Sequence, residues 1–259
     1  MKIIKQISMF LLIPILMFYI SCINLETNNS AGNIEELDNS NSNIYITYFG
    51  TACFLIEDSS HRILIDPGDL FTGRFTAELA ENLEPVDLII ITHNDFDHCN
   101  RLEYIKGVDS IPIIGTNSIQ KDFPRFNVIT EGSFTNGWIN IHKIDIAHGL
   151  RPNEDHTGYN IQFADKTIIF LGDGATPLEP IETNPDILFV TIGGIEASVK
   201  NGVQLVTEIK PLNVIPMHWE ILSRNAVRVR RFERTLNKQS TETKCIIPEF
   251  YETIKFAID

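Results

Sequence analysis

Two imidazoles and two carboxylates fall within six consecutive positions: His93, Asp95, Asp97 and His98. They follow residues 86–91, Val-Asp-Leu-Ile-Ile-Ile, a nearly continuous apolar run that reads as a strand buried on both faces. Such groups crowded at a rigid strand end repel one another or waste their burial unless a positive centre sits among them, and a divalent cation is the usual solution. The competing reading is a polar loop with incidental histidines, which makes the placement a costly accident. Cys99 adjoins the cluster, but a small buried hydrophobe suits it better than a ligand role.

Further candidates stand at the ends of other apolar runs. His148 follows one, Asp173 a second and His218 a third. Strands that share a sheet can bring such ends to one rim, so the spacing predicts one shared site.

The runs that would position these groups begin at Ile44. Residues 44–49, 53–57 and 62–65 read as short strands, with Asp58-Ser59-Ser60-His61 as a hairpin turn and Asp66-Pro67-Gly68-Asp69 as a stop. Residues 71–82 have weak helical character, and a helix is predicted from about His98 to Lys106. Further strands are expected over 111–114, 139–146, 159–163, 167–171, 187–190 and 213–216, with β character returning over 244–258. Helices are expected over 196–209, ended by Pro211, and over 222–236, whose arginines 224, 228, 230, 231 and 234 form a basic run. That run reads by default as a solvated face; contact with anionic lipid headgroups is the sharper alternative. A β-rich half is thus followed by one in which strands and helices alternate.

The chain has 259 residues, 43% of them hydrophobic, which suffices for one sizeable domain. Its net charge of -13 repels phosphate backbones at long range, so general nucleic-acid binding is not expected. The four cysteines show no CxxC spacing, so neither a disulfide framework nor a thiolate zinc site is suggested.

Lys2 and Lys5 precede an apolar run over residues 7–20, which Pro14 interrupts and which is short for a bilayer span. Residues 1–21 therefore read as a signal peptide, with an uncleaved membrane anchor as the rival. The run closes on Tyr19-Ile20-Ser21-Cys22, which resembles a bacterial lipobox although Tyr19 departs from the usual aliphatic residue. The resemblance implies lipidation of Cys22, export, and a lipid anchor in the cell envelope. Residues 22–43 are rich in Asn and Ser, too polar to pack, and read as a flexible tether. The folded domain is expected over residues 44–259.

The ordered set Gly50-Thr51-Ala52-Cys53, Ile63-Leu64-Ile65-Asp66-Pro67, residues 92–98, His148, Gly158-Tyr159, Gly172-Asp173 and Ile215-Pro216-Met217-His218 resembles the metallo-β-lactamase fold superfamily. Within it, the pattern is most similar to the branch holding ascorbate-6-phosphate lactonase and the N-acyl-phosphatidylethanolamine phospholipase D. The resemblance implies an α+β, αββα sandwich: two mixed β-sheets packed face to face with helices outside. It also implies two divalent metal ions (zinc, manganese or iron). His93, Asp95 and His148 would hold the first, Asp97, His98 and His218 the second, and Asp173 would bridge them.

Asp95 is the departure, because the family motif HxHxDH has its second histidine there. HxDxDH also occurs in competence DNA-transport proteins of the superfamily. Oxygen-rich coordination moves preference from zinc toward manganese or iron, and a short carboxylate could leave the first position weak.

The activity implied is hydrolysis by a metal-bound hydroxide, oriented by Asp97, on a phosphoester, phospholipid, lactone or amide. In the loop 149–157, Arg151 could bind an anionic group of a small-molecule or lipid substrate, and His156 could protonate the leaving group. Both also read as ordinary loop residues. Two alternatives stand: a nuclease or phosphodiesterase related to the competence-type proteins, and a non-catalytic envelope lipoprotein that keeps the fold as a binding module.

Overall fold

The computed structural model describes residues 43–149, 151, 155–193, 197–220, 225–239 and 242–257. The expected signal peptide, Cys22 and nearly all of the tether lie outside them. No helix among the described residues is long and apolar enough to cross a membrane.

Two sheets form the body. The first contains β1 (Ile44–Gly50), β2 (Cys53–Glu57), β3 (Arg62–Ile65), β4 (Leu88–Ile90), β5 (Ile113–Ile114), β6 (Val128–Ile129) and, from the far end of the chain, β15 (Thr253–Phe256). Their spatial order is β15-β1-β2-β3-β4-β5-β6. The second contains β7 (Ser133–Asn136), β8 (Ile139–His148), β9 (Thr157–Phe163), β10 (Lys166–Phe170), β11 (Gly174–Pro177), β12 (Ile187–Thr191), β13 (Asn213–Met217) and β14 (Lys244–Cys245). It runs β11-β8-β9-β10-β12-β13-β14, with β7 against β8.

Pleating explains why the sequence shows continuous apolar runs rather than alternation. In β4, Leu88 and Ile90 face a core shared with Phe54, Tyr159, Phe170 and Phe189 of both sheets. Ile89 points the other way, into a second core with Leu102 and Ile119. A third core packs the outer face of the second sheet on Val203, Val206, Phe232 and Leu236. Three apolar layers between and outside two sheets make the predicted αββα sandwich.

The outer helices are α1 (Ala77–Asn82), α2 (Phe96–Cys99), α3 (Asn117–Asp122), α4 (Val199–Ile209) and α5 (Asn225–Gln239). Ser198 caps α4 by accepting a hydrogen bond from the Asn201 N–H. α4 and α5 lie within a few residues of the expected helices. The helix expected to reach Lys106 instead stops after one turn. There Arg101 N–H donates to Pro67 O, and the Asn100 amide exchanges two hydrogen bonds with the Asp69 backbone. The Asn100 N–H still makes the helical bond to Phe96 O, but the Arg101 N–H leaves the ladder and the Asn100 side chain fastens the segment onto the loop after β3; a 3₁₀ turn (Leu102–Tyr104) follows. Strands β6, β7 and β11 and helix α3 were not anticipated. Thr157, expected in a loop, opens β9.

Candidate metal centre

β3 and β4 run parallel to one another, as do β10, β12 and β13, so their C-terminal ends open on a common rim. β3 ends in Asp66, β4 in the segment 92–98, β8 in His148, β10 in Asp173 after Leu171-Gly172, and β13 in His218.

The seven predicted ligands converge there. Asp95 Oδ2 lies 3.4 Å from His93 Nε2 and 3.8 Å from His148 Nε2. His218 Nε2 lies 3.2 Å from Asp97 Oδ2 and 3.3 Å from Asp173 Oδ1. Asp173 Oδ2 is 3.5 Å from His98 Nε2 and 4.0 Å from His148 Nε2. Three donor groups result: His93/Asp95/His148, Asp97/His98/His218, and His93/His98/Asp173 across the middle. All but Asp95 are buried.

A metal fits these residues. Bonds of about 2.0 Å to tetrahedral ligands place donor atoms about 3.3 Å apart, close to the shorter separations here. His93 Nε2, His98 Nε2 and Asp173 Oδ1 are buried without a hydrogen-bond partner, a cost that a shared cation removes.

A buried carboxylate that sequence reasoning assigned no role organises two of the imidazoles. Asp66 Oδ1 accepts from Thr92 N–H, and Oδ2 accepts from both Thr92 Oγ1 and His98 Nδ1, each at 2.8 Å. With its hydroxyl proton given to Asp66, Thr92 Oγ1 accepts from His93 Nδ1 at 3.0 Å. Both rings thereby carry their proton on Nδ1 and turn Nε2 inward. Asp66 and His218 adopt left-handed backbone, at φ 44° and 59°, strain of about 1–3 kcal/mol each that the surrounding contacts hold in place. Gly172, at φ 54°, is required twice over: a Cβ there would stand 2.8 Å from both His156 Nε2 and Thr92 Oγ1.

His156 forms the back wall, its ring against those of His93 and His148. Its Nε2 accepts from Asp173 N–H at 3.2 Å, and its Nδ1 faces Ile146 O at 3.3 Å. Both nitrogens are engaged with backbone in this arrangement. Burial holds its pKa well below the ordinary histidine value. Arg151 lies against Asp95 rather than alone in its loop. Cys99 Sγ donates to Asp95 O at 3.4 Å, and burial pushes its thiol up to about 12. His61, which the sequence placed in a turn, stacks on Trp138 far along the chain.

Tyr48 donates its hydroxyl proton to the half-buried Glu220, whose carboxyl is raised to about 7 by desolvation. No sequence signal marked this pair. A glutamate two residues beyond a strand-end histidine is the nearest thing to one.

Residues 45–218 match the family described as the Beta-lactamase superfamily domain. The chain belongs to that family. It is 26% identical over 209 residues to a UPF0173 metal-dependent hydrolase of Carboxydothermus hydrogenoformans, covering 73% of this chain and 90% of the relative. A UPF0173 protein of Pyrococcus abyssi is 29% identical, over 67% of this chain and 82% of the relative. Among solved structures, a metallo hydrolase of Ignicoccus hospitalis superposes with a TM-score of 0.68 at 20% identity, covering 84% of this chain and all of that one. The chain is thus a metal-dependent hydrolase of the metallo-β-lactamase fold.

Membership of this superfamily gives the protonation states of the cluster a consequence. Burial works against charge on His98, yet Asp173 and Asp66 raise its pKa well above the ordinary value; His218 is raised in the same way by Asp173 and Asp97. Near neutral pH the metal-free site therefore holds protons that an ion must displace. Apparent metal affinity is expected to rise with pH, by up to about tenfold per pH unit for each proton displaced. Calorimetry in buffers of different ionisation enthalpy reads the released protons directly. An affinity that is flat between pH 6 and 8 contradicts the assignment.

Proposed function

We propose that this chain is an envelope-tethered hydrolase that uses two divalent ions, held by His93, Asp95 and His148 and by Asp97, His98 and His218, with Asp173 between them. The convergence of these seven side chains from four strand ends carries the reading. When bound, such ions lower the pKa of water from about 15.7 toward 7 and polarise the attacked carbonyl or phosphoryl group.

The protein's own residues do the rest. Asp97, buried and aimed inward beside His218, holds and orients the attacking water. Burial pushes its carboxyl upward, but the hydrogen bond with His218 and the nearby His98 keep it below its ordinary value, so it remains an acceptor at neutral pH. Asp66 and Thr92 fix the rings, and His156 fixes the Asp173 backbone.

The substrate proposed is a small amphiphile with a phosphoester, lactone or amide bond, phospholipids included. Supporting this, Phe96 stands between two ligands in the chain and is 61% exposed. Phe71 is exposed with its ring edge toward His218. Large apolar side chains left in solvent beside a charged centre suit a ligand with an apolar part. A lipid on Cys22 would hold the domain near such substrates. The acidic net charge argues against polymeric nucleic acid.

The test is elemental analysis of the purified chain, followed by phosphodiester, lactone, ester and amide substrates with manganese, iron or zinc. Asp97→Ala serves as the background. A chain that binds no metal ends the proposal; one that binds metal but turns over none of the panel overturns the proposed substrate class. Asp95→His is expected to keep the fold and shift preference toward zinc, since an imidazole replaces an oxygen donor. Unchanged metal content and preference would show that Asp95 plays no part in metal selection.

A further inference from the structure

Arg151 stands on atoms that the first metal position needs. Its Nη2 lies 2.5 Å from Asp95 Oδ2 and 3.1 Å from His148 Nε2, and its Nη1 lies 3.3 Å from Asp95 Oδ1. The base of the side chain is fixed too, because Arg151 N–H donates to His148 O at 2.7 Å.

A guanidinium only donates, so His148 Nε2 must accept from it. That nitrogen has a single lone pair, the one with which an imidazole binds a metal. Arginine and ion therefore exclude each other at His148. They also compete at Asp95, where the two-point carboxylate contact gives Arg151 its firmest hold. The second triad has no such occupant. Among the described residues, no lysine or arginine pairs with Asp97, His98 or His218, whose partners are Asp66 and one another with Asp173.

We propose that Arg151 is an internal cation that holds the first metal position in the metal-free protein. The two positions then fill in order: Asp97/His98/His218 first, and His93/Asp95/His148 only after Arg151 withdraws. This rests on the cluster being a two-ion centre. The departure at residue 95 is what permits the arrangement. A carboxylate offers a guanidinium two acceptors and a countercharge, whereas an imidazole offers one lone pair and none. Arg151 thus determines how many ions the protein carries at limiting metal, separately from any contact with substrate.

The experiment is equilibrium binding of manganese alone, and of zinc alone, to the purified full chain, with stoichiometry read by elemental analysis and no substrate present. The wild type is expected to bind in two unequal steps. Arg151→Gln leaves the first step unchanged and tightens the second by about tenfold or more, the scale of one lost charge-assisted competitor. Arg151→Lys, which keeps the charge but not the fork, falls between. Thermal melting confirms that the variants fold, and Arg151→Lys alone carries the comparison if Arg151→Gln does not. Two steps with the same affinities in wild type and variants overturn the inference and leave the two-ion centre standing. No metal uptake by any of them overturns both.

Discussion

Replacing Asp173 by alanine is expected to lower bound metal at both positions and reduce kcat about 10³-fold, the scale of removing an electrostatic group that the reaction cannot replace. No other carboxylate in the cluster reaches imidazoles of both triads. One oxygen is 3.3 Å from His218, while the other is 3.5 Å from His98 and 4.0 Å from His148. Burial alone would raise its pKa, but the charges of His218 and His98 hold it well below the ordinary carboxylate value, so it is anionic whenever the protein is folded near neutral pH. Without it, His98, His148 and His218 lose the one carboxylate they share, although Asp66, Asp95 and Asp97 stay beside them, and incoming ions lose their common ligand. Asp173→Asn separates charge from volume: it keeps the shape and the backbone hydrogen bond to His156 while removing the negative charge, and its metal content should lie between wild type and Asp173→Ala. Elemental analysis with far-UV circular dichroism reads both variants. Full metal content and rate in a folded Asp173→Ala protein would mean that the two triads do not share a centre.

The sequence carried much of this because the site is made of polar interruptions in apolar runs, and such interruptions are visible without coordinates. His93, His148 and His218 each follow residues whose burial is legible from composition. What was not legible falls into two kinds. Short edge elements such as β6 and β11 have too few residues to show a period of two, and they exist because a neighbouring strand supplies hydrogen bonds. The helix expected beyond His98 failed for a related reason: Asn100 and Arg101 find partners in the loop after β3, and no local propensity announces a partner some thirty residues away. Functional residues were missed on the same ground. Asp66 reads as part of a turn and Thr92 as a strand end until the fold buries them against His98 and His93, and nothing in the sequence ties Glu220 to Tyr48.

Asp66 is the position where that hidden layer matters most. Asp66→Ala is expected to cost about 3–5 kcal/mol of stability, because it leaves buried donors on Thr92 and His98 without their acceptor, and to weaken metal binding about 10–100-fold. A stability loss alone would describe any buried polar residue, so Asp66→Asn makes the sharper comparison. If its amide oxygen faces His98 Nδ1 and Thr92 Oγ1, its NH₂ meets the Thr92 backbone N–H, donor against donor. If it is turned over, the NH₂ meets His98 Nδ1, which must then accept, so the proton moves to Nε2 and blocks the lone pair that faces the cluster. Either orientation disturbs the ring while the volume hardly changes. Asp66→Asn should therefore lose at least about tenfold in metal affinity while melting closer to wild type than Asp66→Ala does. Should it bind metal as the wild type does, the carboxylate is a packing element of the strand end, and the orientation of His98 must come from the ring's own burial.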